Sequence, residues 1–224
     1  ARALDDERLA DVLEEMDEAS RVELLAELEG ERAADVLEEM DPDDAADLLR
    51  EVGQERAQTL LALMEPEDAA DVKRLMHYED YSAGGMMTTE PIVLTADSTV
   101  AEALSRVRLS EVAPGLASQV FVCRQPTETP TGRLMGVVHI QRLLREPPAT
   151  LLGGILDSDI APLSTEATLN EVSSYLASYN LLAVPIVDAN ERLLGVVTVD
   201  DVLDHLLPEN WRHEESVRRE SENR

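Results

Sequence analysis

Aromatic residues make up only 3% of this 224-residue chain, with a single Phe and a single Trp. Leu, Val, Ala, Ile and Met must therefore fill its cores, and a hydrophobic fraction of 44% is enough for that. The one cysteine, Cys123, excludes an internal disulfide. It sits in the apolar run Gln119-Val120-Phe121-Val122-Cys123 and reads as a buried free thiol in a reducing, cytoplasmic compartment. Basic residues number 19 against 47 acidic ones, and no basic stripe is visible, which argues against a nucleic-acid partner. No apolar run approaches the ~20 residues of a membrane-spanning helix. The longest, Leu181 to Val187, is interrupted by Pro185. No signal-peptide pattern is present, and the chain opens on Ala inside a repeat, as a fragment of a longer protein would.

What the sequence has in excess is negative charge, a formal −28. Residues 1–80 hold 27 of the 47 acids and only 8 Lys and Arg. These acids recur in register. Glu7-Arg8-Leu9-Ala10-Asp11-Val12-Leu13-Glu14-Glu15-Met16-Asp17 returns at residues 31–41 with one change, Leu9 becoming Ala33. Pro42-Asp43-Asp44-Ala45-Ala46-Asp47 returns as Pro66-Glu67-Asp68-Ala69-Ala70-Asp71. The spacing predicts short helices, each about a dozen residues with its turn, because Leu9, Val12, Leu13 and Met16 share one helical face. Asp41-Pro42 reads as an N-cap followed by proline at the first helical position. Helices this short require stacking on their neighbours, so residues 1–80 are expected to form a superhelical stack.

A second repeat follows, and it is mixed. Arg133-Leu134-Met135-Gly136-Val137-Val138 recurs as Arg192-Leu193-Leu194-Gly195-Val196-Val197, and the 94–100 segment matches 163–169. Each copy reads strand, helix, strand, strand, helix. In the second copy these are 161–164, 170–178, 183–187, 193–199 and 200–206, with a hairpin turn at 188–191. The first copy carries about ten extra residues, partly the polar stretch Pro126 to Gly132, expected to be a loop between two strands. Two such units are too small to stand alone and are expected to pack face to face.

These paired units, with Gly195-Val196-Val197-Thr198-Val199-Asp200-Asp201-Val202, resemble tandem CBS domains. The acidic repeat, running through Tyr81-Ser82-Ala83-Gly84-Gly85-Met86-Met87-Thr88 into the first unit, resembles the cytosolic region of MgtE-type magnesium transporters. The fold class expected is therefore α + α/β. A helical N domain (1–80) is followed by a first CBS domain (81–148), a second CBS domain (149–208) and a charged tail (209–224). The resemblance implies a homodimer through the CBS domains. It also implies Mg²⁺ bridging acids of the N domain and the CBS pair to control domain closure, and a transporter pore as partner. The chain reads either as a trimmed piece of such a transporter or as a soluble relative lacking the pore, and the competing reading is a soluble CBS protein that senses an adenine nucleotide or scaffolds another protein. Between the first two, Pro208 and the polar tail favour the soluble relative.

Mg²⁺ takes a few carboxylates and keeps several waters. In the helical region Asp43, Asp44 and Asp47 are the first candidates, since their i, i+3 and i, i+4 spacing puts them on one face. Acids at a helix start also favour the helix dipole without any metal. In the second CBS unit the resemblance points to Asp201, with Asp200 and Asp204 on the same helix. Capping is the alternative role for these acids. The position where sensors of this family carry an acid before the second strand is Asn180. The resemblance also implies an adenine-nucleotide pattern, Gly-h-h-Thr/Ser-x-x-Asp, which Gly195, Thr198 and Asp201 keep, so both readings claim Asp201. The first unit departs from the pattern with His139 and Arg142. Four histidines show no metal-ligand spacing, and no catalytic constellation stands out, so an enzyme is not expected.

Overall fold

The computed structural model describes residues 4–110 and 112–207. It forms two compact units, one helical as far as Tyr78 and one mixed α/β from Glu79 to Leu203. The expected charged tail, with Trp211 and His213, lies outside the described residues.

In the helical unit, α1 (Asp6–Glu14), α2 (Glu18–Ala26), α3 (Gly30–Glu38), α4 (Pro42–Glu51), α5 (Gln54–Leu61) and α6 (Pro66–Leu75) begin every 12 residues. The dozen-residue period is present, but the structural repeat is the helix pair. Helices α1, α3 and α5 pack in one row and α2, α4 and α6 in the other. Equivalent residues therefore meet along a row. Leu9, Ala33 and Ala57 are buried, as are Leu13, Leu37 and Leu61. Each buried leucine contributes roughly 1.5–3 kcal/mol that a lone helix of this length cannot supply. Equivalent arginines add cross-links: Arg32 Nη2 of α3 donates to the Leu4 carbonyl just before α1, and Arg56 Nη2 of α5 to the Leu25 carbonyl of α2 in the other row, each at 2.7 Å. Arg21 pairs with Glu51 in a mostly buried ion pair that ties α2 to α4 (Nε to Oε2, 2.9 Å).

The mixed unit contains two copies of one motif. β1 (Val93–Leu94), α7 (Val100–Val107), α8 (Pro114–Ala117), β2 (Gln119–Cys123), β3 (Leu134–His139) and α9 (Ile140–Leu143) form the first. β4 (Leu163–Ser164), α10 (Leu169–Tyr179), β5 (Ala183–Val187), β6 (Leu193–Thr198) and α11 (Val199–Leu206) form the second. Each copy is a three-stranded sheet with a parallel edge strand and an antiparallel hairpin, in the orders β1-β2-β3 and β4-β5-β6. The first strand of the second copy is shorter than expected, two residues rather than four. Cys123 is fully buried, and burial pushes its thiol up to about 11, so it is a packing residue.

The copies interlock. The segment entering the first copy pairs with β6 of the second, Thr88 and Val196 exchanging backbone bonds of 2.9 and 3.0 Å. The linker to the second copy pairs with β3 of the first, Val137 and Asp157 exchanging bonds of 2.9 and 2.7 Å. This explains the repeated Gly-Val-Val. A Cβ on Gly195 would strike the Thr88 carbonyl, and one on Gly136 the Asp157 carbonyl. Pro185 sits in a central strand opposite Val196, whose backbone groups bond Thr88 instead, and its missing donor falls on the β4 side, where the equivalent Phe121 N–H donates to the Ile92 carbonyl.

The equivalent helices α7 and α10 both begin in capping boxes, Thr99 with Glu102 and Thr168 with Glu171. The hydroxyl and N–H of Thr168 hold the Glu171 carboxyl below its ordinary value. That contribution is present above the ordinary carboxylate range and is lost as pH falls through the depressed value. Thr168→Ala should lower urea stability at pH 7 by about 1 kcal/mol. Glu171→Gln should also destabilise at pH 7, and its gap from the wild type should close on acidification.

Candidate functional site

Three carboxylates converge where α1 ends and α4 begins. One oxygen each from Glu14, Asp41 and Asp44 lies within 4.8 Å of the others, and all three residues are half-buried. The repeat brings them together. Glu14 closes α1 and reaches over the start of α4, where its Oε1 accepts the Asp41 N–H at 2.8 Å. The equivalent Glu38 accepts the Glu65 N–H at 2.6 Å over the start of α6. Asp41 and Glu65 hold the N-cap positions but make no side-chain cap bond, so the repeated glutamate caps from a neighbouring helix instead. Pro42 occupies the first helical turn, as expected, and Pro66 does the same in α6.

Burial pushes the Glu14 carboxyl up to about 7; the Asp41 N–H opposes this, while the charges of Asp41, Asp11 and Glu15 add to it. A carboxylate whose charge is disfavoured by burial and by like neighbours is relieved by a cation. The oxygen-only donor set suits a hard divalent ion.

Of the three acids predicted in α4, Asp44 joins this group. Asp43 is buried, 8% exposed. Asp47 pairs with Arg50, whose Nη2 also donates to the Leu75 carbonyl at 2.9 Å, so this acid helps tie α4 to the end of α6. Asp71 repeats the arrangement with Arg74 at 3.0 Å. Glu14 and Asp41 were absent from the sequence prediction. Their signal was the repeat itself, which returns Glu14 as Glu38 beside another acid-proline helix start.

In the second CBS copy, Asp201 Oδ2 accepts from Thr198 N at 3.1 Å and from Thr198 Oγ1 at 2.6 Å. Thr198-x-x-Asp201 thus closes the start of α11 as a capping arrangement. Asp200 stands beside it, its Oδ1 against Gly115 of the first copy, where a Cβ would come within 2.9 Å. Asp204 lies in the next turn of α11. In the first copy His139 makes no cap bond, α9 is a single turn, and Arg142 pairs with Glu146 at 2.8 Å. Asn180 closes α10 in the left-handed conformation, φ 52°, and its N–H reaches the Leu176 carbonyl. Left-handed backbone favours Asn over most side chains, which accounts for an amide there.

The description "MgtE intracellular N domain" matches residues 1–81, and "CBS domain" matches 79–148 and 152–208. The crystal structure of the soluble part of a magnesium transporter superposes with a TM-score of 0.82 at 32% identity, over 91% of this chain and 78% of that one. The chain belongs to the MgtE family. The cytosolic domain of the Mg²⁺ channel MgtE in complex with ATP superposes with a TM-score of 0.79 at 32% identity, over 90% of this chain and 81% of that one. The magnesium transporter MgtE of Enterococcus faecalis is 33% identical over 132 residues, 59% of this chain and 28% of the relative. The chain thus spans under a third of that MgtE relative. Among the described residues no helix is long and apolar enough to cross a membrane.

The Glu14 carboxyl should titrate near pH 7 in metal-free protein, read by NMR of its side-chain carbon. Unfolded, it releases its proton near its ordinary 4.5. Its contribution to stability is therefore present below 4.5 and lost as pH rises to 7. Glu14→Gln should flatten the stability–pH curve over that window.

Proposed function

We propose that this chain is the cytoplasmic Mg²⁺-responsive regulatory part of a magnesium transporter rather than an enzyme. The observation that carries this reading is the Glu14–Asp41–Asp44 group, three half-buried carboxylates with oxygens within 4.8 Å of one another, in which burial disfavours the charge of Glu14. Mg²⁺ there would satisfy carboxylates that otherwise repel. The fuller reading extends the acidic response to Asp43 and Asp47 and to Asp200, Asp201 and Asp204 of the CBS pair. In it, Mg²⁺ bridges acids of the helical unit and the CBS pair and raises the population of a closed arrangement. The shift is limited by the ion's differential affinity for the two states. In this reading the chain acts as a homodimer through its CBS domains, and the pore is the element it controls.

A second reading, an adenine nucleotide at Thr198 and Asp201, is supported by the relative whose structure holds ATP. The Thr198–Asp201 pair retains the residue types for it, but its groups already bond each other, so a nucleotide would have to replace those bonds.

Calorimetric titration separates these readings. Mg²⁺ should bind and raise the melting temperature, and Glu14→Gln and Asp44→Asn should each weaken binding by about tenfold, ~1.4 kcal/mol. Mg²⁺ without effect on melting or heat up to tens of millimolar would sink the metal reading. AMP or ATP binding that is lost in Asp201→Asn would favour the nucleotide.

A further inference from the structure

The loop between β2 and β3, residues 124–133, is longer than its counterpart in the second copy, residues 188–192. Its first half is largely exposed, but from Thr129 to Gly132 it turns back onto the protein. Thr131 is fully buried, and it pairs with β6 of the other copy: its N–H donates to the Leu193 carbonyl at 2.9 Å, and its Oγ1 accepts the Leu193 N–H at 3.1 Å. Arg192, at the end of the short turn, reaches back. Its Nε donates to the Thr131 carbonyl at 3.0 Å and its Nη2 to the Pro130 carbonyl at 3.2 Å. Leu134 N donates to the Glu191 carbonyl at 2.9 Å, and Arg133 forms an ion pair with Glu191. At its other end the loop grips the incoming chain, Thr129 Oγ1 donating to the Thr89 carbonyl at 2.8 Å. Gly132 allows the loop to fold tightly, since a Cβ there would strike the Arg124 and Gln125 carbonyls.

We infer that residues 124–133 are a strap that locks the hairpin ends of the two CBS copies together and fastens to them the segment by which the chain enters the pair. The strap makes the pair one mechanical body. A ligand that shifts either copy then also shifts Thr88 and Thr89, which are bonded to β6 and to the strap. The asymmetry of the repeat, an insertion in one copy only, thus serves a conformational purpose independent of any metal.

Amide hydrogen exchange on the full chain tests this. Thr131→Val keeps the volume and removes the acceptor of the Leu193 N–H. A second variant replaces residues 124–133 with the sequence of residues 188–192. The Leu193 amide should exchange about tenfold faster in the first variant, and both Leu193 and Leu134 should do so in the second. The Leu37 amide of the helical unit should keep its wild-type rate in both. Unchanged exchange at Leu193 in both variants would overturn the strap. Uniform acceleration over the whole chain would overturn it as well, because that reports global destabilisation rather than release of a local lock.

Discussion

Among the described residues no element is long enough to hold itself. The helices of the N-terminal unit are eight to ten residues long, and each CBS copy has only three strands, one of them two residues long. Short elements of this kind depend on packing against other parts of the chain. In the helical unit this means leucine meeting leucine along a row, with Arg32 bonded to the carbonyl before α1 and Arg56 to a carbonyl of α2. In the CBS pair it means that each copy completes its sheet with backbone borrowed from the segment leading into the other.

The same constraint creates the candidate metal centre. A short helix exposes unsatisfied N–H groups at its start, and at α4 one of them, the Asp41 N–H, is met by a glutamate from α1. That solution places Glu14 beside Asp41 and Asp44 and buries it where its charge is disfavoured. Anionic groups favour a helix start individually, but three in contact range repel. A structural device for stacking helices thereby leaves a local excess of negative charge, which a divalent ion would offset.

In the CBS pair the two copies have diverged in the same place for different ends. Thr198 and Asp201 cap α11 through a reciprocal arrangement, while His139 and Arg142 leave α9 a single turn. One hairpin kept a short turn and the other grew a loop that binds its twin. Internal repetition supplies the architecture, and departures from it mark where the chain does something particular.

The sequence by itself determined the twelve-residue helical period, the two copies of the mixed motif, the positions of β5 and α10 to within a residue or two, and the family. These follow from local periodicity and repeated motifs, which depend on neighbours along the chain. It also offered acids of α4 and of α11 as candidate metal ligands. It could not choose among Asp43, Asp44 and Asp47, because all three have the spacing of one helical face. Tertiary structure separated them by what each meets: Asp43 is buried, Asp47 faces Arg50, and Asp44 faces Glu14. Glu14 and Asp41 entered the site only through stacking, since they lie 27 residues apart in the chain. The strap was legible as a polar loop but not as a lock, because its partners Thr89 and Leu193 are distant in sequence. Charge and periodicity are local properties of the chain, whereas burial and hydrogen-bond partners exist only once distant segments meet.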